Sequence, residues 1–168
     1  RKLYSLTQNY FELFNLPEKF QINLEKLQEN YRTIQKEIHP DRFAMATENE
    51  KIQSMIKSTQ INDAYQALKS PIKRAKYILS LHKSLEKIPL PPDFLMQQME
   101  WEEHLDTISE NKNELNKFKF IINKEYEQYS LLLETQIDIN QDWEEAAITI
   151  DKLHFVEKLL NKINISLN

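Results

Sequence analysis

Leu24, Leu27, Tyr31, Ile34 and Ile38 recur at helical spacing, and Asn23 ahead of them is a suitable N-cap, so the pattern predicts an amphipathic helix. Pro40 ends it, because proline lacks a backbone N–H and pushes the preceding residue toward an extended conformation. The helix therefore stops at about Ile38 and leaves His39, Pro40 and Asp41 on a turn. Upstream, Asn9–Phe14 opens a short helix that Leu16-Pro17 closes. Downstream, Glu48 to Leu68 predicts a long helix with two apolar sides, one of Ile52, Met55 and Ile56, the other of Ile61, Tyr65 and Leu68. Such a helix is expected to pack against more than one neighbour. Ser70 as N-cap and Pro71 at the first helical position open a fourth helix, running through Tyr77 to about Leu81.

Ile88-Pro89-Leu90-Pro91-Pro92 is the one proline-rich run and reads as a short, semi-rigid linker. Beyond it, Asp93 is expected to cap a helix to about Ser109, a second spans about Lys112 to Gln136, and a third runs from Asp142 to about Ile165. Three helices with short loops imply an antiparallel bundle or hairpin arrangement. No stretch calls for a sheet. The chain reads as all-α in two parts, residues 9–84 and 93–168, joined by 85–92.

Composition narrows the chemistry. The 168 residues contain no cysteine, which removes disulfides, thiol nucleophiles and Cys-held zinc or iron–sulfur clusters. They contain no glycine either, so phosphate-cradling loops and dinucleotide fingerprints have no backbone to build on. No cofactor is expected. No run approaches the roughly 20 apolar residues of a transmembrane helix, and Arg1–Thr7 lack the apolar core of a secretory signal. The net charge of −4 is unevenly spread: residues 1–88 hold 15 Lys+Arg against 10 Asp+Glu, residues 89–168 hold 7 against 16. Opposite signs suggest two surfaces with different partners. The acidic half also speaks against nucleic acid, whose phosphates it would repel, and nothing beyond ordinary amphipathic helices suggests a membrane.

Two surfaces carry candidate chemistry. In the first, Arg32 and Lys36 lie one turn apart, away from the apolar stripe, and lead to the turn where Asp41 presents a carboxylate, the natural partner of a guanidinium. In the second, Phe94, Trp101, Leu105 and Ile108 share one helix face as a core stripe, while Leu95, Met96 and Met99 project from roughly the opposite face beside Glu100, Glu103 and Thr107. Exposed Leu and Met rimmed by carboxylates have the make-up of an interaction patch. Phe155 likewise falls off the stripe of Leu153, Val156, Leu160 and Ile163. The histidines do not pair as metal ligands: Trp101 precedes His104 by three and Asp151 precedes His154 by three, where a di-iron bundle wants Glu.

His39-Pro40-Asp41 between two long helices, preceded by basic residues, resembles the J domain, the module that activates DnaK-type chaperones. Ile61–Leu68 resembles the third-helix signature of that domain, and Ser70–Tyr77 the segment after it. The opening Tyr10-Phe11-x-Leu13-Phe14-x-Leu16-Pro17, the Ile78–Leu81 continuation, Asp93–Glu100 and Lys152–Leu159 are together similar to the HscB family of iron–sulfur cluster assembly. The resemblance implies a J domain, a helical hairpin with an HPD loop, followed by a C-terminal three-helix bundle. It implies no enzymatic activity in the chain itself. His39, Pro40 and Asp41, supported by Arg32, Lys36 and Arg42, would dock on the DnaK-type chaperone HscA and stimulate its ATP hydrolysis. Leu95, Met99 and Phe155, with Met96, Glu100 and Glu103 around them, would grip the cluster scaffold IscU. Thr107 departs from the acidic residue more usual there. The absence of the N-terminal cysteine region of animal mitochondrial relatives makes the chain look like the bacterial, cytoplasmic form. The alternatives are a J-domain protein with another client or a non-catalytic helical scaffold.

Overall fold

Helix α1 (Tyr10–Leu13) begins where the Asn9 side chain accepts the Glu12 N–H at 2.9 Å. The computed structural model to which it belongs describes residues 8–83 and 87–168, and among them every regular element is helical. Residues 85 and 86 of the expected linker, and Arg1–Thr7, lie outside the described residues. The chain forms two compact units that divide between Ile78 and Leu79.

In the first unit α1 is followed by α2 (Leu24–Ile38), α3 (Glu48–Lys69) and α4 (Pro71–His82), the last running across the division. With no glycine available, Asn15 takes the left-handed conformation (φ 55°) that ends α1, a role asparagine fills more readily than most residues. Asn23 caps α2 by accepting the Lys26 N–H at 3.1 Å, as expected. Pairings of Ile38 with Ser54, Gln35 with Ser58 and Tyr31 with Tyr65 make α2 and α3 an antiparallel hairpin. Phe14 sits edge-on to both Tyr31 and Tyr65, so α1 closes one end of the hairpin. Arg74 of α4 is buried, its guanidinium donating to the carbonyls of Phe20 (2.6 Å) and Leu68 (2.8 Å), which ties α4 to the loop before α2 and to the end of α3.

Two expectations for this unit are corrected. Leu24, at the first position of α2, is half-exposed and does not join the core stripe. Ile52, Met55 and Ile56 are exposed rather than packed. The first half of α3 meets α2 through Ser54, which lies on the opposite side of the helix, and Phe14 after α1 meets Tyr65 in the second half.

The second unit contains α5 (Pro92–Ile108), α6 (Lys112–Glu134) and α7 (Trp143–Leu167). Phe94 meets Tyr129 and His104 meets Phe118, so α5 and α6 are antiparallel. Phe94 meets Phe155 and Glu102 pairs with Lys162 at 3.4 Å, so α5 and α7 run parallel, giving a three-helix bundle. Its core holds Leu105, Ile108, Leu115, Phe118, Ile122, Val156, Leu159 and Ile163. Leu159 rather than Leu160 completes the α7 stripe; Leu160 is partly buried beside it. The last turn of α4 belongs to this unit, with His82 stacked on Trp143 at 4.3 Å and Lys83 paired with Glu144 at 3.5 Å.

Asp93 does not cap α5 as expected. Pro91 is the N-cap and Pro92 the first helical residue, a place where proline's missing N–H costs nothing; Asp93 instead accepts the Phe94 N–H at 2.9 Å. The second helix also ends differently: α6 stops at Glu134 and continues as one π-helical turn, Thr135–Ile139, which buries Gln136 and Ile137. Asp142 caps α7 as expected, after Gln141 takes a left-handed conformation (φ 50°).

Candidate functional site

The turn between α2 and α3 is built from the inside out. With α2 ended at Ile38, the Arg42 N–H that would continue the helix to the Ile38 carbonyl bonds His39 instead, and a buried carbonyl needs a partner. Ser54, buried on α3, supplies it through its hydroxyl at 2.9 Å. Pro40–Phe43 then form a short 3-10 turn, with the Arg42 N–H bonded to the His39 carbonyl at 3.0 Å. His39 Nδ1 accepts the Asp41 N–H at 3.2 Å, so the neutral ring carries its proton on Nε2, leaving that N–H to donate elsewhere. The Asp41 carboxylate lies 3.5 Å from the same Nδ1 yet its side chain is 92% exposed. A fixed backbone thus holds a solvated carboxylate beside the His39 imidazole.

Arg32, Lys36 and Arg42 are all exposed. The rotation of α2 that turns Arg32 and Lys36 outward is set by a polar cluster on its inner side. Tyr31 stacks on Tyr65 at 4.0 Å and donates its hydroxyl proton to Asn62 Oδ1, while Gln35 donates to Tyr31 and Asn62 at 3.1 Å each. Ser54 was not marked by the sequence pattern. Its signal is a small polar residue in the seven-residue register Ser54, Ile61, Leu68, all three buried.

The second surface lies on α5. Phe94, Leu105 and Ile108 are buried, with Trp101 partly so, and the outward side presents Leu95, Met96 and Met99, all exposed, with Glu100 and Glu103 exposed beside them. Thr107 is exposed on the same side, its hydroxyl turned back to the Glu103 carbonyl at 3.0 Å. Phe155 differs from the expectation of a free apolar side chain. It is half-buried, edge-on to Phe94 at 6.0 Å and stacked on Trp101 at 6.3 Å. The parallel pairing of α5 and α7 is what sets Phe155 level with those two rings. Lys152, one turn earlier on α7, covers Phe94 (5.4 Å) and Tyr129 (5.9 Å). Burial, then the carboxylates of Glu125 and Asp93, push the Tyr129 hydroxyl up from its usual value. His104 packs edge-on against Phe118 at 4.8 Å, and among the described residues no three His, Cys, Asp or Glu side chains converge as a metal site would need.

An antiparallel hairpin with a His-Pro-Asp turn at its tip, closed by α1 and α4, defines a J-domain protein, and residues 9–77 match the DnaJ domain. Residues 90–164 match the HSCB C-terminal oligomerisation domain. A co-chaperone protein HscB homolog of Vibrio campbellii is 40% identical over 164 residues, covering 94% of this chain and 95% of its own. Among solved structures, chaperone HscB from Vibrio cholerae superposes with a TM-score of 0.87 at 37% identity, over 94% of this chain and 96% of its own. Human co-chaperone protein HscB superposes with a TM-score of 0.88 at 28% identity, over 98% and 84%. The chain belongs to the HscB family of co-chaperones.

Proposed function

We propose that the chain carries the iron–sulfur cluster scaffold IscU on its C-terminal unit and delivers it to the DnaK-type chaperone HscA, whose ATP hydrolysis it stimulates through the His39-Pro40-Asp41 turn. Family membership supports the role, and the α5 surface is the observation that carries it: three large apolar side chains, Leu95, Met96 and Met99, stand exposed among carboxylates on a helix whose other side is packed. A monomeric helix has no internal use for such a patch. The working limits are residues 9–84 for the J domain, 85–92 for the linker and 93–168 for the scaffold-binding domain. Two partners of unlike surface fit the charge imbalance between the halves, and a bacterial cytoplasmic location goes with the reading.

On this reading the chain performs no chemistry of its own. Arg32, Lys36 and Arg42 steer an acidic partner surface toward the turn, where Asp41 pairs with a partner guanidinium and His39 donates from Nε2. Losing one member of a charged pair that becomes buried weakens a complex by about thirtyfold or more. Asp41→Asn is therefore expected to abolish most ATPase stimulation while leaving helicity and melting unchanged; wild-type stimulation at matched concentration would remove the role from this turn. On the other surface, calorimetric titration of the scaffold is expected to detect binding by the wild type and little by Leu95→Ala/Met99→Ala. Equal affinity in the double variant would shift the function to that of a J-domain protein with a different client.

A further inference from the structure

All the sulfur in this chain is at the surface. The sequence has four methionines and no cysteine, and the four are exposed: Met45 fully, Met55 by 61%, Met96 and Met99 each by 64%. The buried apolar residues are leucine, isoleucine, valine, alanine and phenylalanine. Methionine is the usual gap-filler of irregular cores, so its absence there leaves no thioether inside the bundle. Met96 and Met99 are moreover three residues apart and so neighbours on one face of α5, where Leu95, Glu100 and Glu103 are also exposed.

We infer that Met96 and Met99 form a reversible oxidation site that switches off the α5 docking surface without unfolding the protein. The inference rests on the scaffold-binding reading of that surface. The oxidant is a peroxide: each thioether sulfur takes one oxygen atom, the sulfur is oxidised by two electrons, the peroxide O–O bond breaks and water leaves. The product sulfoxide is polar and chiral where the surface needs an apolar contact. Reversal needs a methionine sulfoxide reductase drawing two electrons from a thiol donor, which returns the thioether and water. Because no methionine is buried, the packing of α5 against α6 and α7 is untouched by either step.

The test uses the whole 168-residue chain in two complementary variants. Met45→Leu/Met55→Leu retains only the α5 pair, and Met96→Leu/Met99→Leu retains only the other two. Each is treated with hydrogen peroxide, mapped by mass spectrometry, checked for helicity and titrated with the scaffold against its own untreated sample. In the first variant both α5 sulfurs are expected to become sulfoxides with helicity preserved, and scaffold affinity is expected to fall about tenfold, the loss of one strong interface contact. Treatment with a sulfoxide reductase and dithiothreitol restores it. In the second variant oxidation leaves affinity unchanged. The proposal is overturned if the doubly oxidised α5 pair binds as well as its untreated control, if affinity is lost only together with helicity, or if the second variant loses as much. Absence of scaffold binding by the untreated wild type would overturn the function reading and this inference with it, an outcome visible before any peroxide is added.

Discussion

Ser54 shows how one side chain prepares a functional turn. The Ile38 carbonyl at the end of α2 is inside the molecule, and its bond to Ser54 Oγ (2.9 Å) also fixes how α2 and α3 are aligned where the His39-Pro40-Asp41 turn begins. Removing the hydroxyl leaves a buried acceptor unsatisfied, at a cost of about 1–3 kcal/mol. Ser54→Ala is thus expected to lower the melting temperature by several degrees and to speed hydrogen exchange across residues 38–43. An unchanged melt with unchanged exchange would mean that the turn is held without this bond. His39 works on the same scale: by accepting the Asp41 N–H it completes the 3-10 turn from within.

Helices α5 and α7 show that an apolar residue off the expected stripe is not thereby a free one. On α7, Leu153, Val156, Leu159 and Ile163 fill the core, and Phe155 lies beside them, where the parallel partner α5 offers the rings of Phe94 and Trp101. A half-buried phenylalanine in such a position contributes stability as well as any contact to a partner. Fully buried phenylalanine loses about 3–5 kcal/mol on truncation, so Phe155→Ala is expected to cost about half of that in urea unfolding. Leu95→Ala and Met99→Ala, on the outward side of α5, are expected to leave the same transition within about 0.5 kcal/mol. If Phe155→Ala leaves the transition where it was, the ring contributes no packing. Leu95 and Met99, unlike Phe155, can be truncated in a scaffold titration without losing packing between α5 and α7.

Across the molecule, folding raises the pKa of two phenolic hydroxyls, Tyr77 and Tyr129. Tyr77 stacks on Tyr10 at 4.2 Å and accepts the Tyr10 N–H at 2.9 Å; burial raises its pKa above the usual 10.0. Tyr129 in the other unit is raised in the same way, chiefly by burial. When the folded pKa is the higher one, the unfolded chain loses its proton first as pH rises. Above about 10 the native state therefore holds more protons than the unfolded state, and stability falls with pH. Below that value both states are protonated and these groups contribute no slope. Urea midpoints are expected to decline from pH 9.5 to 11.5, and to decline less steeply in Tyr77→Phe/Tyr129→Phe. An equally steep decline in the double variant would place the alkaline sensitivity elsewhere.

Local pattern was sufficient wherever one helix face decides the outcome. Asn23, Ser70-Pro71 and Asp142 mark helix starts through bonds or geometry confined to a few residues, and Pro40 ends α2 by removing a donor. The opposition of Leu95, Met96 and Met99 to Phe94, Leu105 and Ile108 likewise follows from the helical period alone. What the pattern left open were matters of which neighbour arrives. Ile52, Met55 and Ile56 have the spacing of a buried face and stay exposed, because the first half of α3 packs through the side opposite to them. Phe155 is covered because α7 runs parallel to α5, and Ser54 matters because the hairpin sets it against Ile38. The π-helical turn at Thr135–Ile139, which buries Gln136 and Ile137, depends on how that end of the bundle closes. Periodicity ranks the faces of one helix, whereas burial requires a second element at a defined height and direction, and only the tertiary structure supplies it.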